Sequence, residues 1–259
     1  MDFASRNGNT IHYEWMNNGK DRTLLFINSL GTDLRIWDDV AGMLKDQANI
    51  LRFDNRGHGL SSTVEPTEGL GDFVDDTFFL VDSLSIKRCV VVGLSIGGMI
   101  AQVMAVKRPA LVEKLILCDT RFKIGTPQFW NDRIVAVSAG NLSGISEGVM
   151  LRWFSETFVK NYPHKVAGYR IMLERISPTG YIRACEALRD ADLTEVAKAI
   201  SVPTLCVVGI EDKSTTPEEV RSLSELIRGS RYEVIKDSAH IPCVDNPAVL
   251  TKLIKDFIQ

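Results

Sequence analysis

Val90-Val91-Val92-Gly93-Leu94-Ser95-Ile96-Gly97-Gly98-Met99 decides how the rest of this chain is read. A β-branched apolar run enters Gly-x-Ser-x-Gly, and an apolar stretch with helical spacing leaves it. That order specifies a strand, a very tight turn and a helix, with glycine at 93 and 97 where a side chain would clash. Ser95 then stands on a strained tip with its hydroxyl exposed and a helix N-terminus beneath it, as a nucleophile elbow requires. A short Gly/Ser pattern also occurs in ordinary βα turns with a solvated serine. The elbow reading therefore needs partners elsewhere in the chain.

Outward from the elbow, short apolar runs recur at Thr10–Glu14, Thr23–Ile27, Ile50–Phe53, Cys89–Val92, Leu115–Cys118, Thr204–Val208 and Tyr232–Ile235. Runs apolar on both faces suit a mostly parallel sheet flanked by helices, an α/β fold. The first follows an Asn7-Gly8 turn and reads as part of an N-terminal antiparallel hairpin. Thr216-Pro217-Glu218-Glu219 has the form of a capping box with proline at the first helical position, and Asn246-Pro247 is expected to start the last helix similarly. That helix would place Val249, Leu250, Leu253, Ile254, Phe257 and Ile258 on one face over the sheet. Between Thr120 and about Ile200 strand-like runs give way to helical patterns carrying Trp130, Trp153, Phe154, Phe158 and Tyr162, broken once at Pro178-Thr179-Gly180. The expected organisation is a core of residues 1–119 and 201–259 with a helical cap, 120–200, inserted at the carboxyl end of a strand, where open α/β sheets bind ligands.

Composition narrows the class. The 259 residues are 45% hydrophobic and 24% charged with a net charge of -3, which suits a globular protein and gives no basic footprint for nucleic acid. No apolar run approaches the ~20 residues of a membrane span, so no membrane partner is expected. The first residues have no apolar signal core, so a cytoplasmic location is expected. Five cysteines show no redox or zinc spacing; Cys89, Cys118 and Cys206 fall in or beside strands, where thiols act as small hydrophobes, and Cys243 beside His240 reads as a buried structural thiol. Neither a metal cluster nor a Gly-rich phosphate loop stands out, and no cofactor is implied. Composition says nothing of oligomeric state.

A serine hydroxyl needs a base. Of four histidines, His12 lies in an early strand, His164 follows Pro163 in the insertion, and His58 sits in Asp54-Asn55-Arg56-Gly57-His58-Gly59, whose Arg56 and His58 read as braces. His240, just after a strand in Ser238-Ala239-His240-Ile241-Pro242, is the better base. The carboxylate that holds its tautomer is Asp212, after strand Thr204–Val208, with Glu211 its adjacent competitor. The chain order Ser95, Asp212, His240 is serine–acid–histidine. Acyl chemistry also needs oxyanion donors. These are the backbone N–H of Ile96 and, from Asn28-Ser29-Leu30-Gly31-Thr32, that of Leu30. The alternative for this loop is a plain Gly-containing turn.

These residues, with Asp54-x-Arg56-Gly57-His58-Gly59-x-Ser61 and the helical insertion after the sixth strand, resemble the α/β-hydrolase superfamily over essentially the whole chain. Asn28–Thr32 in place of the commoner His-Gly, the cap opening Gly125–Ile134, Asp212–Pro217 and His240–Val244 are similar to 3-oxoadipate enol-lactonases of bacterial aromatic-acid catabolism. Thr215-Thr216-Pro217 departs from that pattern, which carries its proline earlier. The resemblance implies cofactor-free opening of a small anionic lactone through an acyl-serine. The substrate carboxylate wants a cation; Arg133 is the candidate, with a solvated helix arginine the alternative, and Trp130 is a candidate pocket wall. A carboxylesterase or perhydrolase on another small ester is the alternative activity, and a ligand-binding receptor with residual hydrolysis a further one. Dehalogenases and epoxide hydrolases of this fold use aspartate where Ser95 stands.

Overall fold

The computed structural model describes residues 1–6, 8–63, 67 and 69–259. Its centre is an eight-stranded sheet in the order β1-β2-β4-β3-β5-β6-β7-β8. The strands are β1 (Asp2–Arg6), β2 (Asn9–Met16), β3 (Thr23–Ile27), β4 (Asn49–Phe53), β5 (Cys89–Leu94), β6 (Val112–Cys118), β7 (Thr204–Gly209) and β8 (Arg231–Ile235). β1, β2 and β4 pair antiparallel, and every later pairing is parallel. The expected hairpin exists, its register closing at Arg6 opposite Asn9; Asn7 lies outside the described residues.

Every residue of β3, β4, β5 and β7 is buried, because helices cover both faces of the central strands. Val90, Val91 and Val92 have no exposed surface, each contributing about 1.5–3 kcal/mol of transfer free energy. The edge strands β1 and β8 are largely exposed or half-buried.

The covering helices are α1 (Asp38–Leu44), α2 (Leu70–Ser83), α3 (Ile96–Lys107), α10 (Pro217–Leu226), α11 (Pro242–Asp245) and α12 (Pro247–Ile258). The capping box of α10 forms as expected, Thr216 Oγ1 accepting from Glu219 N and Glu219 Oε2 from Thr216 N. α12 differs from expectation in two ways. Asn246 makes no cap bond; its amide donates instead to the Lys236 carbonyl. Its buried stripe is Leu250, Thr251, Ile254 and Ile258, while Val249 is 40% exposed, because α12 packs against α1 with a narrower face than the apolar positions offer.

Between β6 and β7 lie α4 (Pro127–Gly140), α5 (Ser143–Trp153), α6 (Glu156–Asn161), α7 (Pro163–Glu174), α8 (Pro178–Asp190) and α9 (Thr194–Ala199). α9 packs on α3 and α10 rather than on its neighbours in sequence. Pro178-Thr179-Gly180 starts α8: Ser177 Oγ accepts from Gly180 N and Pro178 fills the first turn. Gly180 meets Gly57 backbone to backbone, where a Cβ on Gly57 would stand 2.5 Å from the Gly180 Cα. Among the described residues no helix is long and apolar enough to cross a membrane.

Candidate active site

Ser95 lies between β5 and α3 at φ 57°, ψ −118°, a conformation that costs a non-glycine residue about 1–3 kcal/mol. Neighbouring backbone holds it there. Ser95 N donates to Cys118 O at 3.0 Å, and its carbonyl accepts from Thr120 Oγ1 at 2.6 Å, Gly98 N at 2.9 Å and Met99 N at 3.2 Å. The glycines around it are sterically required. A Cβ on Gly93 would strike Gly97 O and come within 2.7 Å of Gly98 N; one on Gly98 would come within 2.5 Å of Thr120 Cγ2. Ser95 as a residue is buried, 5% exposed, and its side chain borders a cavity also lined by residues of α4, α5 and α8.

Asp212 and Glu211 follow β7 at its carboxyl end, and their side chains part. Asp212 Oδ2 bonds His240 Nδ1 at 2.8 Å and accepts from Thr215 Oγ1 at 2.6 Å; Oδ1 accepts from Ser214 N at 2.7 Å and Thr215 N at 3.2 Å. Burial pushes this carboxyl up, but the His240 charge and bonds from His240, Thr215 and Ser214 outweigh it and hold Asp212 below the usual carboxylate range. An ionised carboxylate only accepts, so His240 Nδ1 carries the proton and Nε2 is left basic. Glu211 reaches instead to the N-terminus of α6, accepting from Glu156 N at 3.0 Å.

His240 and Ser95 line one cavity of about 280 Å³, with Ser29, Leu30 and Ser214 from the core and Phe129, Trp130, Arg133, Val149, Arg152, Trp153 and Tyr181 from α4, α5 and α8. Leu30 belongs to a turn in which Thr32 N and Oγ1 both donate to Ser29 O, at 3.4 and 2.8 Å. Asn28 anchors that turn: its amide donates to Phe53 O at 2.7 Å and its oxygen accepts from Trp37 Nε1 at 3.0 Å. The N–H groups of Leu30 and Ile96 have no acceptor among the described residues. Such donors match the requirement for an oxyanion hole.

Two guanidiniums stand in this cavity. Arg133 and Arg152 each lie 5.4 Å from the Phe129 ring centroid, and Arg133 Nη1 donates to Tyr181 Oη at 3.3 Å. Both are half-buried, and neither has a carboxylate partner among the described residues. Arg152 escaped the sequence reading; it sits in an unremarkable Leu-Arg-Trp context. Trp130 is a wall rather than a donor, its indole N–H bonded to Ile124 O at 2.7 Å.

The remaining histidines lie elsewhere. His12 is buried against Asp54 at 2.7 Å, His164 is exposed, and His58 is buried with Nδ1 3.0 Å from Arg56 O. Arg56 braces its loop through Asp76 Oδ2 at 2.8 Å. All five cysteines are free and buried. Burial pushes the thiols of Cys89, Cys185 and Cys206 up to about 12, far from a reactive thiolate. Asp119, Asp212 and His240 each place one potential metal-ligand atom within 4.8 Å of the others. Asp212 already accepts from four groups of the protein, so the cluster is built for hydrogen bonding rather than coordination.

The family model of the alpha/beta hydrolase fold matches residues 22–247. The chain is 31% identical to 3-oxoadipate enol-lactonase 2 of Acinetobacter baylyi over 96% of its length and 93% of the relative's. It is 29% identical to 3-oxoadipate enol-lactonase 1 of the same organism, over 99% and 96%. Among solved structures, the enol-lactonase from Burkholderia xenovorans LB400 superposes with a TM-score of 0.96 at 32% identity, over 99% of both chains.

Proposed function

The chain belongs to the α/β-hydrolase family and is a hydrolase, and on that premise we propose that it opens a small enol-lactone bearing a free carboxylate, 3-oxoadipate enol-lactone being the best-supported substrate. The observation that carries this reading is the pair of guanidiniums without a carboxylate partner among the described residues, Arg133 and Arg152, in the cavity that also holds Ser95 and His240. Partly buried cations without a counter-charge favour an anionic ligand. The apolar remainder, Phe129, Trp130, Val149 and Trp153, suits a compact ring.

In this mechanism the Ser95 oxygen attacks the lactone carbonyl while His240 Nε2 takes its proton, and Asp212 stabilises the resulting imidazolium. The N–H groups of Ile96 and Leu30 receive the oxyanion. The ring C–O bond breaks, the leaving enol oxygen takes the proton from His240, and the enol becomes a ketone. Water, losing a proton to His240, then cleaves the acyl-serine and restores the Ser95 hydroxyl. The product is 3-oxoadipate, a place in aromatic-acid degradation.

Rates on the enol-lactone beside short neutral esters test the substrate class. The lactone should give the highest kcat/KM, and Ser95→Ala should lower kcat by roughly 10³-fold or more. Faster turnover of neutral esters would replace the lactonase reading with that of a general carboxylesterase. Near-normal activity of Ser95→Ala would remove the serine mechanism itself.

A further inference from the structure

Asp119, the residue after β6, takes no part in that mechanism, yet it is built into its floor. It has no exposed surface and sits at φ 45°, a left-handed conformation that a non-glycine residue adopts at a cost. Its backbone N–H donates to Val207 O at 2.8 Å, and its Oδ1 accepts from Gly209 N at 2.9 Å, tying β6 to the end of β7 three residues before Asp212. Its Oδ2 is buried and receives no donor from the described residues. Beside it stands the Asp212 carboxyl, itself an acceptor, with an oxygen of each within 4.8 Å of the other.

Two buried carboxyls this near each other do not both ionise, so one holds a proton. Asp212 receives four donors and Asp119 only one, so the proton belongs on Asp119 Oδ2. We propose that Asp119 is a positioning residue: a carboxylic acid that keeps its proton at neutral pH and shares it, as a hydrogen bond, with the Asp212 carboxylate on which His240 is aligned. The surroundings agree. Among the described residues, the titratable groups that bear on it are Asp212, His240, Asp245 and the thiols of Cys118 and Cys243, with no lysine or arginine among them to hold a second anion. Burial first, then the Asp212 charge, drives the Asp119 carboxyl well above its ordinary value. An acid that donates here fixes the Asp212 oxygens without adding a second negative charge beneath the imidazole.

The proposal rests on the reading of His240 as the base, and two measurements separate the two. Infrared spectra in D₂O at neutral pH should show a protonated-carboxyl carbonyl band that disappears in Asp119→Asn; this readout is independent of catalysis. In kinetics on a neutral ester, Asp119→Ala should lower kcat roughly 10- to 100-fold with KM little changed. Asp119→Asn, whose amide donates without charge, should recover most of that loss. Its acid limb of kcat/KM should stay within about half a pH unit of wild type. Were Asp119 ionised, deleting a charge this close to His240 would move that limb down by about two units or more at an effective dielectric near 20. Such a shift, or a wild-type spectrum without the band, overturns the proposal. If Asp119→Ala does not fold, the band and the Asp119→Asn profile still decide. An active Ser95→Ala would sink the base reading while leaving the band to report on Asp119.

Discussion

Gly97→Ala is the sharpest test of how the elbow is assembled. A Cβ at 97 would stand 2.7 Å from Ile27 C and 2.8 Å from Asn28 O, and nearest of all to Ile27 O. Ordinary contact begins at 3.4 Å. β3 and α3 must therefore separate by about 0.6–0.7 Å at the first two atoms and about 1 Å at the third, and backbone cannot turn aside as a side chain can. Overpacking of this kind costs about 1–3 kcal/mol, roughly 2–10 °C of Tm for a chain this long. Activity should suffer more than stability. The two candidate oxyanion donors ride on the two bodies being pushed apart, Ile96 at the start of α3 and Leu30 in the turn after β3. A misplacement of about 1 Å there costs on the order of 10²-fold in kcat. The assay is thermal unfolding beside steady-state hydrolysis of a neutral ester, with Gly168→Ala as control. Gly168 is exposed within α7, a Cβ there would have nothing within 4 Å, and alanine should add about 0.4–1 kcal/mol without changing kcat. If Gly97→Ala kept wild-type kcat and lost no more stability than the control, the close approach of α3 to β3 could not be what sets the donor geometry.

Two further outcomes separate roles within the site. Arg133→Ala and Arg152→Ala should each raise KM for an anionic lactone about 10- to 100-fold, the worth of a charge-assisted bond, while moving KM for a neutral ester less than about threefold; equal effects on both substrates would remove the carboxylate contact. Asp212→Asn should lower kcat by about 10³- to 10⁴-fold, whereas Glu211→Gln, whose side chain bonds the start of α6, should change it less than about fivefold; comparable losses would reverse the assignment of the two acids.

What could be read in the chain, and what could not, follows from how far each signal is local. β3 and β5 announce themselves because a strand covered on both faces must be apolar throughout, so Thr23–Ile27 and Cys89–Val92 stand out without any partner being known. β1, Asp2–Arg6, is half-exposed at the sheet edge and carries no apolar run; only the turn after it betrays it. Gly93, Ser95 and Gly97 are legible because one tight turn imposes all three. Asp212 was separable from Glu211 only by which side chain turns toward His240, a property of the loop's path. Arg152 and Asp119 were illegible for the same reason in stronger form. Arg152 faces the cavity only because α5 packs beside α4, and Asp119 meets Asp212 only once β6 and β7 are paired.

The Gly57–Gly180 contact has a consequence for exchange of parts. Position 57 lies in a core loop and 180 in the first turn of α8, and at each a Cβ would collide with the backbone of the other. Gly57, at φ 72°, is doubly constrained. A set of cap helices transplanted from another hydrolase would thus seat on this core only if it brought glycine to the position of Gly180. Any other residue there would lift the roof at the α8 side, where Tyr181 borders the pocket. Altering specificity by wholesale cap replacement therefore has a two-residue compatibility rule, one half of it written more than a hundred residues away from the other.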